Sequence, residues 1–279
     1  MKKYKLTEET LKIEDHTLYR IVALQNFIDV KKGDLGGFIE KESNLSHNDN
    51  CWIYNDAAVY GNAKIQNNAT VYDNARVYDN AIICDNVMIC DNVVINGNAR
   101  IFDNTEIYNN VLISGNVKIN GSTTISDNAM ISGNARICGN VNIFGNASIF
   151  GNAKIYDFVE ICGVVSIYGN TIIRDNAIIY DNVTIDGCVE ISNDVVICGN
   201  AKIGGNAVIK DKSDYIVFKN WWSSGRYFTW TRSNNMWQVG CFYGTGEELI
   251  TKAYNDSAEK GREYKRIVKY VESIKSEIK

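Results

Sequence analysis

From Ile53 to Ile209 every sixth residue is Ile or Val, 27 positions in succession. Four residues after each comes a small or branched residue, such as Ala63, Val87, Thr105, Ala147 or Val183, and the two positions between usually read Gly, Asp or Asn and then Asn. An amphipathic helix would space its apolar residues near 3.6, and a half-buried strand would alternate without polar interruptions. A ribbon of very short strands satisfies the period. The aliphatic and the small residue point inward, the residues flanking the aliphatic point outward, and the polar pair turns a corner, where Asn tolerates the left-handed backbone region. Three words per turn close a triangular prism, so that residues eighteen apart stack about 4.8 Å from one another. The 26 intervals between Ile53 and Ile209 make nearly nine coils.

The period ends in a charged linker, Lys-Asp-Lys-Ser-Asp, after which three strand-like runs, Tyr215–Lys219, Arg226–Arg232 and Met236–Tyr243, are separated by Ser-Ser-Gly and Ser-Asn-Asn turns. Helices are predicted near Glu247–Asn255 and Arg262–Ile278, the second with an apolar stripe of Tyr264, Ile267, Val268, Val271, Ile274 and Ile278. The expected organisation is an N-terminal cap over 1–52, a prism over 53–210 and a small α+β module over 214–279, mainly β overall.

These words, an aliphatic residue followed four later by Ala, Val or Thr, resemble the hexapeptide-repeat, left-handed parallel β-helix proteins over more than half the chain. The left-handed coil is implied by that resemblance. Residues 22–63 further resemble the N-terminal cap of a bacterial and phage-borne branch labelled as acyltransferases, a label that follows fold and not a demonstrated reaction. The resemblance also implies a homotrimer, with acyl transfer at a histidine in a cleft between neighbouring prisms.

Against that implication, no histidine lies between Ile53 and Ile209; His16 and His47 fall in the cap, and His47 sits where the next aliphatic would fall. Two histidines cannot supply the three ligands of the related metal-dependent carbonic anhydrases. The eight cysteines suggest no disulfide frame, since none within the prism are eighteen apart and Cys162 and Cys198 stand two coils, about 10 Å, apart. Free thiols, no metal site and no cofactor are expected, with no catalytic residue assigned. The N-terminal residues lack a signal-peptide core and no run is long enough to span a membrane, which points to a cytoplasmic protein, in a host cell's cytoplasm if phage-encoded. The chain has no proline, where average usage predicts roughly a dozen, as suits uninterrupted backbone ladders. Net charge is −4, so any anion site has to be local.

Function is therefore sought where the words differ. One face stacks Lys64, Ile82, Arg100, Lys118, Arg136 and Lys154 in its first outward column, and Phe102, Asn120, Cys138, Tyr156 and Arg174 in its second. Stacked like charges repel, so an anionic partner is one explanation; solvation of the face, with Asp85, Asp103, Asp157 and Asp175 neutralising it, is the plainer one. A second face exposes Val94, Leu112 and Met130 beside a corner rich in glycine, which suggests subunit contact. Phe158 and Val164 replace corner asparagines, so a covering surface is expected, first of all the C-terminal module of the same or a neighbouring chain. In that module Arg226, Phe228, Trp230 and Arg232 share one strand face near Trp222, a pattern suited either to base stacking with phosphate pairing or to an ordinary aromatic core.

The expectation is a non-enzymatic binding protein that captures an anionic ligand or partner: a nucleotide signal, nucleic acid or a host effector protein. The phage-borne relatives add counter-defence as a context. CoA-dependent acyl transfer and a structural or scaffold role are the alternatives.

Overall fold

The computed structural model describes residues 2–275. Three parallel sheets form the walls of a β-solenoid, and each hexapeptide contributes one rung. The rungs are mostly two residues long, an outward residue followed by the inward aliphatic, as in Arg100–Ile101 and Leu112–Ile113. Residues eighteen apart pair in register, Val94 with Leu112 and then Met130 on one wall, Arg100 with Lys118 and then Arg136 on another. Outward residues donate their N–H to the coil above, for example Arg100 to the Val117 carbonyl at 2.9 Å. The inward aliphatics are almost all fully buried in one continuous core. Burying each contributes about 1.5–3 kcal/mol before chain entropy is counted.

The corners divide their work differently from the sequence expectation. The first member of each polar pair, not the asparagine that follows, takes the left-handed backbone: from Asn55 to Gly205 every such residue has φ between +52° and +120°. Many of the following asparagines stack into ladders, the side-chain amide of one donating to the next eighteen residues on. Asn80 donates to Asn98 at 3.1 Å and Asn98 to Asn116 at 2.8 Å. Aspartates at left-handed positions cap the coil above, as Asp79 accepts from the Gly97 N–H at 3.0 Å. At Gly97 there is no room for that, since a Cβ would lie 2.7 Å from the Gly115 nitrogen. The close approach that glycine permits at this corner is thus made by the next coil of the same chain.

The solenoid starts earlier than the repeat. An antiparallel hairpin, Tyr4–Ile13 with His16–Ala23, joins Leu35–Ile39, and Phe38–Ile39 pairs in parallel with Ala58–Val59. That wall carries ten parallel rungs, about ten turns in place of nine. Leu45, bridged to Ile65, fills the inward place expected at position 47. His47 instead stacks on Tyr4, ring centroids 4.2 Å apart, and its Nδ1 accepts from the Lys3 N–H at 3.3 Å.

At the other end the C-terminal module closes the last coil. Its sheet has four strands, because the third predicted run breaks at Gly240 and Cys241 into Met236–Val239 and Phe242–Gly244. Helices Gly246–Asp256 and Ala258–Ile274 cover one face of that sheet, while Ile278 lies outside the described residues. The opposite face meets the prism: the Thr229 hydroxyl accepts from the Lys202 N–H at 2.9 Å, and the Tyr215 hydroxyl donates to the Val196 carbonyl at 3.0 Å. No helix among the described residues is long and apolar enough to cross a membrane.

Candidate functional site

The basic column lies on the wall whose rungs are longest. Lys118–Gly121, Arg136–Gly139 and Lys154–Asp157 each run four residues and pair over their full length, on consecutive coils. Lys118, Arg136 and Lys154 therefore project from the most continuous patch of sheet in the prism. Arg100, Lys118 and Arg136 are exposed and Lys154 is half-buried. Among the described residues no carboxylate comes within ion-pair distance of these four.

The reason lies in the corners on either side. The corner next to the basic column is Gly97, Gly115, Gly133 and Gly151 after Asp79, so it carries little negative charge. The aspartates expected to neutralise the row stand across the second column, and they are occupied by backbone: Asp103 accepts from the Gly121 N–H at 2.9 Å and Asp175 from the Asn193 N–H at 2.9 Å. Unit charges about 4 Å apart cost about 1 kcal/mol even in water, so the unpaired row is mildly unfavourable to folding.

A shallow groove of about 520 Å³ follows this column, lined by Lys64, Ile82, Arg100 and Lys118 on one side and by Asn62, Asn80, Asn98 and Asn116 on the other. The asparagine ladder was not among the residues picked out from the sequence as a site. Its signal, Asn at every sixth position, is visible there, but repeats on all three corners and singles out none.

The other predicted residues divide into groups. In the second column Phe102, Asn120 and Tyr156 are half-buried, and Asn120 donates to the Cys138 thiol at 3.7 Å. Arg174 is spent on Glu190 at 2.9 Å and Asp175 at 3.5 Å, and these partners raise its pKa further. It does not extend the free row.

In the C-terminal module, Trp230 is 1% exposed and packs with Phe228, Trp237, Tyr264 and Val268 in the core beneath the helices. That burial removes it as a stacking platform: the strand face it shares with Arg226 and Arg232 is the one the helices cover. Trp222 is 63% exposed, and its indole N–H donates to Glu263 at 2.8 Å. It edges an apolar cleft with Ile216, Phe218 and Tyr270, whose Arg266 is paired with Glu263 at 2.7 Å. Arg226 is exposed, whereas the Arg232 backbone N–H donates to the Asp214 carbonyl at 2.8 Å. This group belongs to a different end of the molecule, because three further rungs, Ile172–Ile173, Glu190–Ile191 and Val208–Ile209, separate Lys154 from the module.

On the glycine-cornered wall Leu112 is 39% and Met130 41% exposed, and Val94 is half-buried between Arg76 and Leu112. Phe158 and Val164 are 63% and 51% exposed, so the described part of the chain's own C-terminal module, seated on the last coil, does not cover them. Both histidines hold the cap together: His16 Nδ1 lies 2.9 Å from Glu40 Oε1, and His47 Nε2 lies 3.7 Å from Glu42. The cysteines are free thiols, and burial followed by neighbouring aspartates pushes Cys84 and Cys90 up to about 11, leaving them protonated and poorly nucleophilic near neutrality. Among the described residues no group of His, Cys, Asp and Glu is arranged to hold a metal.

Comparison with known proteins bears on the coils. The YdcK β-solenoid repeat family matches residues 69–85 and 125–139. The uncharacterized acetyltransferase YdcK of Escherichia coli strain K12 is 40% identical over 67 residues, covering 21% of this chain and 21% of that protein. The solved structure of the Francisella novicida UDP-N-acetylglucosamine acyltransferase aligns with 50% of this chain and 60% of its own at 21% identity, with a TM-score of 0.28. The chain thus spans about a fifth of the curated relative it matches. With its six-residue words and about ten parallel turns, the chain is a β-solenoid whose coils resemble those of YdcK over the matched residues.

Proposed function

We propose that this chain is a non-enzymatic binding protein that captures an anionic ligand on the wall carrying Arg100, Lys118, Arg136 and Lys154. One observation carries the reading: these cations stand in register on consecutive rungs of a rigid sheet and no carboxylate among the described residues pairs with them. A row that costs folding energy is retained where a ligand returns it. A sheet that does not reorganise loses little entropy on binding. Self-association into a trimer through Val94, Leu112 and Met130 is part of the same proposal; that wall adjoins the basic wall at the glycine corner.

The test is native mass spectrometry with inorganic polyphosphate as probe, on the wild type and on a triple variant, Arg100→Glu with Lys118→Glu and Arg136→Glu. The wild type is expected as a trimer carrying bound polyphosphate, and the variant as a folded trimer without it. Equal binding by both proteins, or none by the wild type, contradicts the reading of this wall.

Acyl transfer is the second reading, drawn from the name of the E. coli relative. It needs a base, and His47 is the candidate. Its Nδ1 already accepts from Lys3 and its ring is stacked on Tyr4, contacts that account for it as a cap residue.

A further inference from the structure

Resting on the reading that the basic wall binds anions, we infer that its occupant is a linear acidic polysaccharide, a uronate chain lying along the prism axis in the groove between the cation column and the asparagine ladder.

The first argument is shape. The cations do not converge on a point, as they would around a single phosphate. They follow one another at the strand spacing of about 4.8 Å over successive rungs, so a compact anion reaches two of them at most, whereas a chain lying in the groove beside Arg100 and Lys118 can run on along the wall toward Arg136 and Lys154. The second argument is repeat length. Side chains on one face of an extended peptide recur about every 6.6 to 6.8 Å, and phosphates along one strand of duplex DNA recur every ~3.4 Å. Both drift out of register with the column within a few rungs. In an extended 1,4-linked uronate each ring carries one carboxylate and successive rings are turned over, so the carboxylates facing the wall recur about every second rung and stay in step with alternate cations.

The third argument is the opposite wall of the groove. A primary amide offers two N–H donors and two acceptor lone pairs. In the ladder Asn62, Asn80, Asn98, Asn116 and Asn134, each amide gives one N–H to the next residue, at 2.8 to 3.1 Å, and the interior members accept one in return. One donor and one acceptor per coil are left for a ligand, repeating in step with the cations, which suits ring hydroxyls. The groove lining is Asn, Lys, Arg and a single Ile82, with no aromatic platform of the kind that holds unpaired bases.

The experiment is a binding comparison on the full chain among an oligogalacturonate, a neutral oligoglucan of equal length and oligo-dT of equal charge, with inorganic polyphosphate alongside. The oligogalacturonate is expected to bind at least about tenfold more tightly than the neutral glycan and the oligo-dT. Asn98→Ala with Asn116→Ala is expected to weaken oligogalacturonate severalfold and polyphosphate little. Polyphosphate binding without oligogalacturonate binding overturns the polysaccharide inference and keeps the anion-binding wall. Tighter binding of oligo-dT than of uronate overturns it in favour of nucleic acid. Binding of no anion overturns both.

Discussion

At a corner such as Asp85-Asn86 two polar residues do separate jobs. Asp85 sits at φ +66° and its carboxylate accepts from the Asp103 N–H, while Asn86 donates to Asn104 at 3.0 Å. The sequence shows both residues but not the division, because Asn and Asp both tolerate the left-handed region and both can bond to backbone. The cap offers a sharper test at this scale. Glu40 accepts from the Gly61 N–H at 2.8 Å and faces His16 at 2.9 Å; the bond to His16 first, and that to Gly61 next, hold its carboxyl below the usual range. A carboxyl whose pKa is depressed on folding contributes stability above its unfolded pKa, about 4.3, and loses it as pH falls through the folded value. Melting temperature against pH is expected to fall less steeply below about pH 4 in Glu40→Gln than in the wild type. Parallel acid limbs would show that the contact between hairpin and first coil does not depend on this charge.

Elements were most legible where one period rules. The strict six-residue spacing left the inward residues no other place, and the cap and C-terminal module, which lack it, were read less well. The third strand looked continuous because Gly240 and Cys241 interrupt no apolar pattern, yet Gly240 at φ +60° turns the chain back. The second helix begins at Ala258, four residues before its expected start, because Gly261 is no breaker here: Tyr254 packs against it and a Cβ would lie 2.3 Å from that ring. The strand carrying Trp230 alternates in sequence, but which face the helices cover is a tertiary matter that alternation alone does not decide. Trp230→Ala is expected to cost about 3–5 kcal/mol within the module's own core. That core is separate from the prism's. Calorimetry should therefore show a module transition moved to lower temperature with the prism transition in place. One merged transition shifting as a whole would mean that the two cores unfold as a single unit.

Across the whole molecule, a stiff scaffold closed at both ends keeps an unpaired cation row along one wall. The row itself was legible from residues eighteen apart. The glycine corner beside it was legible too, but what made the row a groove was not, since the engaged aspartates and the asparagine amides with half their capacity free emerge only when the coils are stacked. Phe158 and Val164 form a second exposed feature, on corners away from the basic column, and none of the described residues covers them. The claim at this scale is that the wall is an electrostatic receptor. Its most direct measurement is the salt dependence of dextran sulfate affinity for the wild type and for the Arg100→Glu, Lys118→Glu, Arg136→Glu variant, with thermal unfolding of both as the folding control. The wild type is expected to bind with affinity falling steeply as salt rises, and the variant, unfolding at nearly the same temperature, to lose both the affinity and the slope. The same affinity and slope in a folded variant would contradict the account.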